Sequence, residues 1–112
     1  MGRFNEYNKS LVILYKSMNV IQKIEEQIRC SVNVININII DESIKHANHY
    51  VSFSSNFPSH IKLILISDDF IEMNTFKRHK LMYNLLKDEM KLIHSISLHL
   101  YTQNEYNSKV KN

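Results

Sequence analysis

Leu11, Leu14, Met18, Ile21, Ile24 and Ile28 recur at spacings of three and four along residues 8–29, the stripe of an amphipathic helix. Lys9, Lys16, Lys23, Glu26 and Arg29 fill much of the remaining surface. After Cys30 the period shortens to two. In SVNVININII, Ile35, Ile37 and Ile39 alternate with Asn36 and Asn38, which predicts a strand with one polar face. Residues 41–59, DESIKHANHYVSFSSNFPS, carry no clear period and read as a long loop, a length usually tied to function or mobility. HIKLILIS, residues 60–67, predicts a second strand, with Ile61, Leu63 and Leu65 on one face and His60, Lys62, Ile64 and Ile66 on the other. Apolar on nearly both faces, it belongs at the centre of a sheet.

SDDFIEMN then reads as a short helical turn, with Asp69 and Glu72 spaced as an N-terminal cap. A longer helix is expected from about Phe76 to Lys91, its inward stripe formed by Phe76, His79, Met82, Tyr83, Leu86 and Met90. KLIHSISLHL alternates from Ile93 onward, so that His94, Ile96, Leu98 and Leu100 share one face. YTQNEYNSKVKN follows as a polar tail with at most one helical turn. The order α-β-β-α-α-β predicts an α+β fold: a three-stranded mixed sheet with helices packed on one face. The strands joined through the 76–91 helix should run parallel if they are neighbours. A single domain is expected over residues 9–106, with a disordered start (1–8) and a flexible tail (107–112).

Composition narrows the classes. A chain of 112 residues with 44% apolar content can bury a core without staples. One cysteine excludes an intramolecular disulfide, and no apolar run reaches the roughly 18 residues of a membrane span. MGRFNEYNKS has no apolar signal core, and Glu6 stands where a myristoylation signal needs Ser or Thr. A cytoplasmic, monomeric protein is expected, with nuclear, mitochondrial or other organellar locations left open. The net charge of +3 is mild, and Gly2 and Pro58 are the only residues of their kinds, which rules out glycine-rich motifs.

The chemistry available is sparse. There is no G-x-S-x-G, Walker loop, H-E-x-x-H or C-x-x-C, so no enzyme is expected. Cys30 reads as a small buried hydrophobe at a helix end. What remains is histidine: His46, His49, His60, His79, His94 and His99. His79, on the inward helical stripe, suits a structural role, and His99, out of phase with the core, a solvated one. His60 starts the central strand. His94 begins the apolar face of the last strand, where its ring can reach the sheet edge, and the long loop brings two further imidazoles. Neutral imidazole suits zinc, copper and iron. Two such ligands leave coordination positions that another molecule must complete.

DESIKHANH, SHIKLILISDDF, RHKLMYNLLKDEM, IHSISLHLYT and NEY, in this order, resemble the BolA family over roughly residues 20–106. The family's serine-plus-phenylalanine turn, R-H-R and H-A-L match Ser67 and Phe70, Arg78-His79-Lys80, and His94-Ser95-Ile96. The resemblance implies a fold similar to the type II KH domain. It also implies an adaptor that binds a monothiol glutaredoxin as a heterodimer and shares a bridging 2Fe–2S cluster with it, the glutaredoxin's cysteine and glutathione holding one iron. Alone, the protein would carry no cofactor. The implied ligands on this chain are His94, from the H-A-L position, and His46 in the loop, with His49 as the alternate. The family's glycine after the turn is replaced by Glu72, so the backbone there lacks glycine's freedom. Tyr106 stands where a tryptophan is usual.

KH-like folds also bind nucleic acid, and some members of this family are described as DNA-binding regulators. Lys77, Arg78, Lys80 and Lys87 make one helix basic, and Lys77, Arg78, His79 and Lys80 serve equally as a docking surface for a protein partner. A KH domain clamps phosphates with a G-x-x-G loop. Here the equivalent turn lacks glycine and carries Asp68, Asp69 and Glu72, which repel phosphate.

Overall fold

In the computed structural model, residues 17–44 and 58–111 are described. Helix α1, Val20–Ser31, is followed by strand β1, Asn36–Asp41, and strand β2, His60–Ile66. A single 3-10 turn, Asp68–Phe70, leads into α2, Thr75–Leu85, and the one-turn α3, Lys87–Met90. Strand β3, Ser95–Tyr101, and helix α4, Gln103–Lys111, complete the order. The sheet order is β1-β2-β3, with β1 antiparallel and β3 parallel to the central β2. The α+β architecture, the central position of β2 and the parallel pairing across the α2–α3 crossover all follow the expectation.

Helices α1, α2 and α4 start where a side chain can satisfy orphan backbone N–H groups, while the one-turn α3 has no side-chain cap. Asn19 accepts from the Gln22 N–H at 2.8 Å while Gln22 Oε1 accepts from the Asn19 N–H at 2.9 Å, a reciprocal capping box. Consequently the apolar stripe of residues 8–29 is not one helix: the backbone is extended at Asn19, and α1 begins after it. Residues 1–16 of that stripe lie outside the described residues. Asn74 caps α2 by accepting from the Lys77 N–H at 2.8 Å. At the 3-10 turn the cap is Ser67, whose Oγ accepts from the Asp69 N–H, and not the Asp69–Glu72 pair that the spacing suggested.

One core joins the layers. Val20, Ile24 and Ile28 of α1 meet Ile61, Leu63 and Leu65 of β2, with Phe70, Met82, Leu86, Ile93 and Leu100 closing around them. Fully burying a side chain of this size contributes about 1.5–3 kcal/mol, so the alternation in β2 dictates which face the helices cover. The α2 stripe is narrower than expected. Met82 and Leu86 are fully buried, but Phe76 is 70% exposed and Tyr83 46%. The long helix breaks at Leu86, whose φ of −101° and ψ of 18° leave the helical well. The chain after β3 forms a nine-residue helix rather than a tail with at most one turn, because Thr102 and Glu105 cap it.

Candidate functional site

Three strand termini meet at one end of the sheet: the end of β1 and the starts of β2 and β3. Asp41 pairs with Ile61 across the antiparallel ladder, and His60 pairs with Ser95 across the parallel one. Beyond β1, Ser43 donates to Asp41 Oδ1 from both its N–H (2.9 Å) and its hydroxyl (2.5 Å). That fixed hydroxyl accepts from the Ser59 N–H at 2.8 Å and, more weakly, from the His60 N–H at 3.4 Å. The Glu42 N–H donates to the His60 carbonyl, and the Ser95 N–H donates to the Ser59 carbonyl at 2.9 Å. The D-E-S segment therefore ties together the two ends of the chain that leave for, and return from, residues 45–57.

His94 sits on this platform, immediately before β3, and its side chain is exposed rather than sharing the burial of Leu100 on its own face. Within β3 the alternation holds, with Ile96, Leu98 and Leu100 toward the core and Ser95 and Ser97 away, but it does not extend to His94: the strand starts at Ser95, and Ile93, expected on the opposite face, is the buried neighbour. The rings of His60 and His94 lie 5.3 Å apart between centroids, tilted by 59°. His60 Nδ1 contacts Ser59 Oγ at 2.9 Å. His46 and His49 lie outside the described residues. Among the described residues no group of three or more His, Cys, Asp or Glu side chains forms a metal cage. Two adjacent imidazoles on a rigid strand end nevertheless suit a transition metal or an iron of a cluster, with the other positions completed from elsewhere.

The placement of His60 beside His94 is what sequence reasoning missed. Histidines near the starts of two parallel strands hinted at it, but the register His60↔Ser95 that brings the rings together is not encoded in either strand's period.

The other candidates disperse. Arg78, named above as a docking residue, is largely withdrawn into the fold. Its side chain is 11% exposed, and its guanidinium donates to the carbonyls of Met73 (2.9 Å), Leu100 (3.2 Å) and Phe70 (3.1 Å). It also grips Glu105 with bonds of 2.6 and 3.0 Å. That grip, with the Thr102 N–H at 2.8 Å, holds the Glu105 carboxyl at about 2, well below the usual carboxylate range. His79 Nδ1 contacts the Thr75 carbonyl at 2.9 Å, half-buried on α2 rather than in the core. His99 is half-buried, not solvated. Its Nε2 meets Ser97 Oγ at 2.9 Å, and burial, then Lys62 and Lys109, lower its pKa. Lys77, Lys80 and Lys87 are exposed. Cys30 is exposed, not buried, and its hydrogen bond to Glu26 at 3.5 Å raises the thiol pKa, the opposite of what a reactive thiolate needs.

The turn after β2 is acidic, with Asp68 and Asp69 in it. Asp69 accepts from the N–H and the side-chain amide of Asn33, and Asp68 Oδ1 accepts from the Gln103 N–H at 3.0 Å. Glu72 adopts a φ of 68°, the left-handed region that glycine would enter without cost.

These elements define a small α+β domain, a three-stranded mixed sheet with helices packed on it. A sequence profile described as "BolA-like protein" matches residues 28–105, and the chain belongs to that family. It is 30% identical over 90 residues to the DNA-binding transcriptional regulator BolA of Escherichia coli (strain K12), covering 80% of this chain and 81% of that protein. SufE-like protein 1 of Arabidopsis thaliana, chloroplastic/mitochondrial, is 31% identical over 80 residues, 68% of this chain but 22% of that protein. Among solved structures, BolA1 from Arabidopsis thaliana superposes with a TM-score of 0.66 at 27% identity, covering 79% of this chain and 96% of that one. BolA1 from Mus musculus gives 0.68 at 19% identity, covering 84% and 73%, a likeness of fold. No helix among the described residues is long and apolar enough to cross a membrane.

Proposed function

We propose that the protein is an adaptor of the BolA type, not an enzyme, that binds a monothiol glutaredoxin and co-ligates a 2Fe–2S cluster held between the two chains. Its role would lie in iron–sulfur trafficking or in iron and redox regulation. The observation that carries this reading is the exposed His94 ring on a hydrogen-bonded strand end, beside the point where residues 45–57 leave and rejoin the sheet. His94 supplies one imidazole, and His46, or His49 in its place, the other; glutathione and the partner's cysteine complete the second iron. Imidazole in place of thiolate lessens the negative charge at the iron and raises its reduction potential. The Ser43 and Ser59 hydrogen bonds tie together the strand starts beside His94. Lys77, His79 and Lys80, on the outer side of α2, offer a docking surface from which Arg78 is withdrawn.

The test is an anaerobic titration of the protein into a glutathione-ligated, cluster-bearing monothiol glutaredoxin, followed by visible absorption and circular dichroism. A new spectrum at one-to-one stoichiometry, absent in His94→Ala and weakened in His46→Ala, is expected. An unchanged spectrum with the native chain would sink the reading.

The name of the Escherichia coli relative favours a second reading, DNA binding through Lys77, Lys80 and Lys87. Against it, Asp68 and Asp69 stand at the turn where a KH domain holds phosphate, and Arg78 is committed to carbonyls and to Glu105. A steep loss of DNA affinity with salt, abolished by Lys77→Ala and Lys80→Ala together, would restore this reading.

A further inference from the structure

The pair His60–His94 joins rings from two strands that are distant in sequence and adjacent only through the parallel register His60↔Ser95. We propose that this pair binds a single divalent ion of borderline softness, zinc in the first instance, when the chain is alone. The proposal rests on the reading of His94 as a ligand but needs neither the cluster nor the glutaredoxin.

The spacing is that of two imidazoles sharing one ion. A ligating nitrogen lies about 2.0–2.1 Å from zinc, the ring centre about 1.2 Å further, and a tetrahedral angle then separates two such centres by about 5.2 Å. The two centroids are 5.3 Å apart. With the proton on His60 Nδ1 donated to Ser59 Oγ, coordination falls to Nε2; this is the kind of outer hydrogen bond that orients a ligating histidine. Ser59 is in turn held through its N–H by Ser43 Oγ, which Asp41 orients. The ring of His94 is exposed, so water completes the coordination from the open side. Nitrogen donors without carboxylates select zinc, copper or nickel over magnesium and calcium. With two protein ligands, the site binds more weakly than a four-ligand structural zinc site.

The experiment uses the intact chain without partner. Co²⁺ is titrated while visible absorption is recorded, and Zn²⁺ is then used to displace it. His60→Gln, His94→Ala, His46→Ala and His49→Ala are run beside the native chain, with far-ultraviolet circular dichroism showing that each is folded. One bound ion is expected, with affinity reduced about tenfold or more in His60→Gln and in His94→Ala and little changed in the two loop variants. Native affinity in His60→Gln overturns the proposal, since the two rings are then only a packed pair. So does a tenfold loss in either loop variant with His60→Gln unaffected. Because the glutaredoxin titration is a separate measurement, either reading can fail while the other stands.

Discussion

At the end of the sheet where β2 and β3 finish, the charged side chains are drawn into internal hydrogen bonds. Arg78 gathers three carbonyls and a carboxylate, Ser67 donates its N–H to the Tyr101 carbonyl, and Asp68 and Asp69 bond to backbone N–H groups of Gln103 and Asn33. At the end where β2 and β3 begin, Ser43 and Ser59 tie the strand starts together, and His94 is exposed. Under the proposed function, the difference means that charged groups serve stability at one end while the other is kept for a ligand. It also places the arginine of the R-H-K segment within the fold.

The sharpest way to break that contrast is to remove the guanidinium. Arg78→Ala strips a charged donor from the carbonyls of Phe70, Met73 and Leu100, at a cost of about 3 kcal/mol in urea denaturation. Arg78→Lys recovers only part, because an ammonium cannot reproduce the planar fork. A loss below about 1 kcal/mol would show that the closed end is no more structural than the open one.

Next in size is the acid limb of stability. The Glu105 carboxyl is held at about 2, against an ordinary value near 4.5. In that window the unfolded chain binds more protons than the folded one. The contribution is therefore complete above pH 4.5 and is lost as the pH falls toward 2. Glu105→Gln should flatten the acid limb of a pH series of denaturation midpoints; an identical limb in the variant would remove Glu105 from the account.

A smaller change with the opposite sign is expected at Glu72. A non-glycine residue in the left-handed region costs about 1–2 kcal/mol, partly offset by glycine's greater freedom when unfolded. Glu72→Gly should thus stabilise the closed end by up to about 1 kcal/mol, read as a rise in the denaturation midpoint. Smallest of all is His94→Ala, which should shift stability by no more than about 0.5 kcal/mol while abolishing the cluster spectrum. A large loss of stability there would make His94 a structural residue and erase the difference between the two ends.

Much of the fold was legible along the chain because its signals are local. The period of two in residues 60–66 and 95–101, and the period near four in residues 20–31 and 82–86, depend only on which neighbours share a face. The one-residue limits of that reading also show. Asn19 breaks what looks like a single helical stripe, and Phe76 and Tyr83 match the period yet lie outside the narrow strip that the sheet covers. The glycine missing at Glu72 was visible as a departure from the family pattern, and the backbone there still takes the glycine conformation.

The candidate site was legible only in part. Residue by residue, the chain by itself determined the order of the strands and the helices between them, the central strand and the alternation within the last strand. The tertiary structure alone decided that His60 stands beside His94, because strand register is a long-range property that no local period encodes. It alone decided the fate of Arg78 as well. A guanidinium's partners are carbonyls and a carboxylate up to 27 positions away, and backbone carbonyls are the same at every residue, so nothing in the sequence marks which of them will lack a donor.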